Sequence, residues 1–171
     1  MGGYSSDNDG CKILDRDPNY GGGTVSCSEV VNERKVLECQ IPDLPVPLAA
    51  HESIIANDAI VVCGGSNMSW TPNGVQKKCY QLTKSASEWK EFPEMKHERA
   101  GFGMIYLNKK IWAVGGSGED KSYTSMDIFD FDSMTWSTNE IPLSIQEHCM
   151  TKIDEFKFIV TGGFLNHGVR N

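Results

Sequence analysis

Four double glycines punctuate the 171-residue chain: Gly2 with Gly3, Gly64 with Gly65, Gly115 with Gly116, and Gly162 with Gly163. Their second members stand 62, 51 and 47 residues apart. A recurrence of about 50 residues means that one supersecondary unit is copied along the chain, and each copy must bury its apolar face against its neighbours. The three later pairs each close an apolar, β-branched run: Ala59-Ile60-Val61-Val62-Cys63, Lys110-Ile111-Trp112-Ala113-Val114 and Phe156-Lys157-Phe158-Ile159-Val160-Thr161. These read as buried strands. A polar turn precedes each, at Asn57-Asp58, Asn108-Lys109 and Asp154-Glu155, with a second apolar segment before it. A hairpin is therefore expected three times.

Two further columns share this phase. Val30, Leu82 and Phe129 each stand seven residues before Leu37, Trp89 and Trp136, a gap that fits strand, tight turn and strand. His51, Phe102 and His148 each stand six residues before Asn57, Asn108 and Asp154. Length varies in one place: Gly3 to Val30 is 27 residues, Gly65 to Leu82 is 17 and Gly116 to Phe129 is 13. The connection after the double glycine is thus the variable loop, and every repeat sets it on the same side of the stack. In the first copy it holds Asp7-Asn8-Asp9-Gly10 and Tyr20-Gly21-Gly22-Gly23, which read as flexible loop.

Composition narrows the function. With 16 basic against 23 acidic residues, the formal charge of −7 disfavours a partner recognised through its phosphates, so no nucleic acid is expected. No apolar run approaches the roughly 20 residues of a membrane span, and the N-terminus shows no secretory leader. The six cysteines (11, 27, 39, 63, 79, 149) form no Cys-x-x-Cys pair, and Cys63 and Cys79 lie in apolar runs. They are expected to be reduced thiols in a cytoplasmic protein.

Candidate chemical sites mostly yield to structural readings. The glycine pairs fit no phosphate-binding pattern; Gly64, Gly65, Gly115, Gly116, Gly162 and Gly163 are expected to serve the repeat. A metal-ligand column would not accept Phe102 between His51 and His148, so these imidazoles are expected inside the units and no metal is expected. Counting Asp7-Asn8-Asp9-Gly10 as a calcium loop puts Arg16 where a bidentate Glu is needed. Asn67-Met68-Ser69 matches a glycosylation acceptor, expected to be idle without a leader. Trp89 and Trp136 are expected to pack between units. Trp70, outside the columns and in the variable loop, is either a contact anchor or the core of its own loop.

The strand-closing Gly-Gly, the Phe129-Asp130 pair, Trp136 seven residues on and then Pro142 resemble the kelch repeat, as does the Arg-led segment Arg99 to Leu107. The copies depart from it at Leu37 in place of Trp, at Leu48 and Ile145 in place of Arg99, and at Thr83 and Val31 in place of Asp130. The resemblance implies an all-β, kelch-type β-propeller fragment with four-stranded antiparallel blades, two complete and two half. The implied units are 1–50, a divergent first repeat ending in outer strands; 51–99 and 100–147, complete blades; and 148–171, inner strands only. Two blades and two halves do not make a ring of four to eight, so a fragment of a larger propeller or a truncated product is expected, its exposed half-blades giving either marginal solubility or self-association that restores a ring.

The resemblance further implies a noncatalytic protein-binding module with no cofactor. Its loop face would carry Trp70, Met95, Lys96, His97, Arg99 and Tyr123, and its contexts would be substrate recognition for a cullin-based ubiquitin ligase or actin binding. The alternative is a piece of a kelch-type enzyme, galactose oxidase-like or sugar-processing. Among the expected inner strands only Tyr106 and Lys152 carry titratable groups, and no enzymatic activity is expected.

Overall fold

A computed structural model describes residues 42–67 and 74–165, together with the backbone of 30–32 and 35–37. The described residues form twelve strands: β1 (Val30–Asn32), β2 (Lys35–Leu37), β3 (Glu52–Ala56), β4 (Ala59–Cys63), β5 (Cys79–Thr83), β6 (Lys90–Phe92), β7 (Gly103–Leu107), β8 (Lys110–Val114), β9 (Ser125–Asp130), β10 (Thr135–Glu140), β11 (Ile145–Asp154) and β12 (Lys157–Leu165). They make two four-stranded antiparallel sheets, β3-β4-β5-β6 and β7-β8-β9-β10, and two hairpins, β1-β2 and β11-β12. The fold is all-β, two complete blades flanked by two half-blades. The strands β3, β7 and β11 lie side by side on the inner side of the arc.

The sequence columns translate into pairing register. Val30 faces Leu37 in β1-β2, and Phe129 faces Trp136 in β9-β10, the same seven-residue relation. Asn57-Asp58 and Asn108-Lys109 close their hairpins with both residues at φ between 49° and 62°. Paired left-handed residues are what a two-residue turn matching strand twist requires. The third hairpin differs. Its register shifts between Lys152 and Asp154, Asp154 pairs with Lys157, and the turn falls on Glu155-Phe156 rather than Asp154-Glu155. Here the Asp154 carboxylate accepts the Phe156 N–H at 2.8 Å, a side-chain turn that replaces the Asn-led one.

The core lies between the two complete blades. Phe92 of β6 packs on Phe129 of β9 with ring centroids 4.6 Å apart, and Phe129 packs on Trp136 at 5.3 Å. Val61, Met95, Phe102 and Ile111 complete this apolar cluster. A clasp repeats from unit to unit: Trp89 Nε1–H donates to the Pro42 carbonyl and Trp136 Nε1–H to the Pro93 carbonyl, each at 2.7 Å. Trp136 is buried, whereas Trp89 is half-buried.

Two cysteines correct the sequence reading. Cys63 and Cys79 face each other across β4 and β5, Cα atoms 4.1 Å apart, and form a disulfide. Cys149 is oxidised as well. The reduced state was expected from apolar context, but the variable loop returns the chain so that the two residues become cross-strand neighbours. Cys11, Cys27 and Cys39, the glycine-rich first loop and Trp70 lie outside the described residues. No helix among the described residues is long and apolar enough to cross a membrane.

Candidate functional site

On one side of the arc three connections meet: the loop after β4, the β6–β7 connection and the loop after β8. Backbone bonds sew them together. Arg99 N–H donates to the Gln76 carbonyl at 3.1 Å, Gly65 N–H to the Arg99 carbonyl at 2.7 Å, and Met95 N–H to the Lys77 carbonyl at 2.9 Å. The double glycines make the close approach possible. Gly64 and Gly115 hold φ of +64°, and a Cβ on either would collide with the carbonyl oxygen of Arg99 or Ile145 from the following unit.

Beneath these loops lies a buried ionic clamp. The Arg99 guanidinium is wholly buried and donates to the Gly115 carbonyl (2.6 Å), the Ser125 carbonyl (3.0 Å) and Ser125 Oγ (2.9 Å). Its Nη2 lies 3.2 Å from Asp127 Oδ1, and its carbon sits 4.5 Å from the centre of the Tyr123 ring. Asp127, also wholly buried, accepts further bonds from the His97 N–H (3.0 Å) and Thr138 Oγ1–H (2.8 Å). Burial pushes the Asp127 carboxyl upward, but the Arg99 charge and the hydrogen bonds outweigh it and hold it below the usual carboxylate range. Tyr123 O–H donates to Glu98 Oε1 at 2.8 Å. Burial first, then that bond, raises the phenol above its ordinary value. For Glu98, burial works upward, and its backbone bond, Tyr123, Lys121 and His97 prevail in lowering it.

The six residues proposed from sequence as partner contacts thus divide. Arg99, Met95 and Tyr123 are buried, which corrects their assignment: the guanidinium satisfies its donors internally, Met95 joins the apolar cluster, and Tyr123 roofs Arg99. Lys96 faces solvent, His97 is about one-third exposed, and Trp70 lies outside the described residues; Lys121, not among the six, faces solvent beside them. Asp127, which organises the clamp, escaped the sequence reading. Its signal was an acidic residue in phase with Ser125 and Phe129 on the inward face of an apolar strand. The preceding unit places Leu48 and Tyr80, both buried, at the positions of Arg99 and Asp127.

A second concavity opens between the inner strands, a cleft of about 390 Å³ whose lining includes Glu52, Tyr106, His148 and Met150. Burial pushes the Glu52 carboxyl up to about 7 and the His148 imidazole down to about 4. Both His148 ring nitrogens lack a hydrogen-bond partner. The sequence reading counted Tyr106 and Lys152 here. Lys152 instead pairs with Glu155 at 2.5 Å, while Glu52 and His148 went uncounted because each stands one residue outside the segment taken as strand or was assigned to the blade interior. No cluster of metal-ligating side chains occurs among the described residues.

No family model matches the chain. It is 33% identical over 113 residues to Kelch-like protein 41a of Danio rerio, an alignment covering 66% of this chain and 18% of that protein. It is 25% identical over 140 residues to N-acetylneuraminate epimerase of Salmonella typhi, covering 74% of this chain and 34% of the epimerase. The chain therefore spans well under half the length of these relatives. The solved structure of YjhT, a kelch-type propeller, superposes with a TM-score of 0.61 at 18% identity, over 73% of this chain and 37% of YjhT. The epimerase overturns one expectation. Proteins named as enzymes stand among the relatives, so the resemblance that was taken to imply no enzymatic activity does not imply it.

Proposed function

Because the chain belongs to the kelch-repeat family, we propose that it is a recognition module whose sewn loop face binds a segment of another protein. One observation carries this reading: the Arg99–Asp127 clamp satisfies its own charges and fixes three loops from beneath, leaving Lys96, His97 and Lys121 on a preorganised rim. Preorganisation lowers the ordering cost of binding. Two lysines on the rim suit an acidic segment, with Trp70 in the adjoining loop as a contact. The units that present this face are taken as 1–50, 51–99, 100–147 and 148–171. Relatives named as pairing kelch repeats with a BTB domain or an F-box favour ubiquitin-ligase substrate recognition over actin binding as the context.

The test is cross-linking mass spectrometry from cell extract, followed by titration of the captured partner. Lys96→Glu with Lys121→Glu is expected to weaken binding at least tenfold, and Lys109→Glu, at a hairpin turn elsewhere, to leave it unchanged. Equal binding by all three proteins would reject the loop face. A cytoplasmic location is part of this reading.

The central cleft supports a second reading, sugar processing, through its buried carboxyl at Glu52 and the named epimerase relatives. Proton NMR of N-acetylneuraminate with the chain, and with Glu52→Gln, tests it: faster anomer exchange that the variant loses would support this reading over the first.

A further inference from the structure

Two of the variable loops, those after β4 and β8, close in the same way. Gly64 N–H donates to the Lys78 carbonyl at 3.0 Å and Gly115 N–H to the Ser125 carbonyl at 3.1 Å, so each loop stem is drawn together by the same main-chain bond. What reinforces that closure differs. In the second complete blade the buried Arg99 guanidinium spans the stem, donating to both the Gly115 and the Ser125 carbonyls, with Asp127 as its counter-charge. In the first complete blade the counterparts of Arg99 and Asp127 are Leu48 and Tyr80, which supply no ionic span. The reinforcement there is covalent. Cys63 and Cys79, which correspond to the facing pair Val114 and Met126, carry a disulfide immediately beside the Gly64–Lys78 bond. The ionic span is permanent, whereas the covalent one opens on gaining two electrons.

This disulfide has an approach. A cleft of about 350 Å³ beside β5 and β6 is lined by Lys78, Cys79, Glu91, Phe92 and Glu94, and Cys63 is not among its walls. Cys79 faces Phe92 of β6, and β6 joins its blade through three residue pairs at the outer edge of the sheet. Both cysteines are buried while the blade is closed, so local parting of this short edge strand is the motion that opens Cys79 to the cleft.

We propose that Cys63–Cys79 is a thiol-exchange site that sets how firmly the first of these loops is held, with a small thiol entering at Cys79. Its thiolate attacks Cys79 Sγ; a new sulfur–sulfur bond forms there as the Cys63–Cys79 bond breaks, and Cys63 leaves as a thiolate that takes a proton from solvent. A second small thiolate attacks the small-molecule sulfur of this mixed disulfide, which frees Cys79 and joins the two small thiols. The chain gains two electrons and two protons, the small thiols lose them, and a small disulfide reverses the sequence. Once open, the stem keeps only its main-chain bonds. Gln76 and Lys77, within three residues of Cys79, accept the Arg99 and Met95 N–H groups, so the loosening reaches the ties to the β6–β7 connection. The loop after β8 keeps its guanidinium. Disulfides in cytosolic proteins are typically transient in this way, and the proposal is independent of what the loop face binds.

Amide hydrogen exchange on the purified chain, oxidised with cystamine or reduced with dithiothreitol, tests it. Reduction should speed exchange at Gly64 and Gln76 by about tenfold or more, while the corresponding Gly115 and Tyr123 change by less than about twofold. Because Cys149 is also oxidised, Cys63→Val with Cys79→Met, which copies Val114 and Met126, is the control. Its loop should exchange at the reduced rate in either reagent. With limiting cysteamine, and iodoacetamide to cap the freed thiol, peptide mapping should find the cysteamine on Cys79 and the cap on Cys63. Equal exchange of the first loop in both redox states overturns the proposal, and so does equal acceleration of both loops. Cysteamine on Cys63, or a double variant whose loop still answers to dithiothreitol, overturns it as well. So does failure of cystamine to form the Cys63–Cys79 bond.

Discussion

Arg99 and Asp127 show how one ion pair replaces an apolar contact in a repeat. A buried pair deprived of one member leaves an uncompensated charge, so Arg99→Ala is expected to cost about 3–5 kcal/mol in a denaturant titration. The double change Arg99→Leu with Asp127→Tyr copies the Leu48 and Tyr80 of the preceding unit and should recover most of that loss. His148 offers a second test. Its pKa falls from 6.5 to about 4 on folding because burial disfavours the charged ring. The unfolded chain therefore takes up the proton first. The contribution, about 3 kcal/mol, is complete above pH 6.5 and is lost as pH falls to 4. His148→Phe, which installs the residue that Phe102 already provides in the column, should flatten the melting temperature over that range. Glu52 runs the other way: its carboxyl is raised, so its contribution is present below pH 4.5 and fades as pH rises through 7.

At the scale of strands and turns, what could be read from sequence was whatever repeats locally. The seven-residue gaps gave register, since a tight turn leaves no freedom in pairing, and Asn57 and Asn108 marked left-handed turns. The shifted turn at Glu155-Phe156 escaped because it depends on a bulge at Lys152–Asp154. The Cys63–Cys79 bond and the Arg99–Asp127 pair escaped because each joins residues brought together by a loop of variable length, which periodicity cannot measure. Reducing Cys63–Cys79, a closure of 16 residues, should lower stability by about 3 kcal/mol in a chemical melt. The glycines separate steric from conformational demand. Gly115→Ala combines φ of +64° with a backbone collision and should cost more than about 3 kcal/mol. Gly101→Ala has φ of +60° but no contact nearer than 3.4 Å, and Ala50 and Glu147 hold its column at φ of 52° and 55°. It should cost about 1 kcal/mol or less by the same assay.

For the molecule as a whole, burial is graded along the chain. The strands β4, β5, β8 and β9 carry the sealed core, while β11 and β12 are largely open. Amide hydrogen exchange should rank them accordingly, slowest in β4 and β8 and fastest in β11 and β12. Uniform protection from end to end would reject this ranking. The candidate site was legible in outline as a loop face, since loop position follows from the repeat. Which side chains point outward was not, because that is decided by the clamp beneath.

The Trp-to-Pro clasp has a consequence for how such a chain is made. Trp89 reaches back 47 residues and Trp136 reaches back 43, and the backbone bond from Gly101 to Ala50 spans 51. Every such tie is to sequence already synthesised, about one repeat earlier. A blade can therefore be locked onto its predecessor as it leaves the ribosome, without waiting for the end of the message. Assembly proceeds as a zipper whose teeth engage in the order of translation.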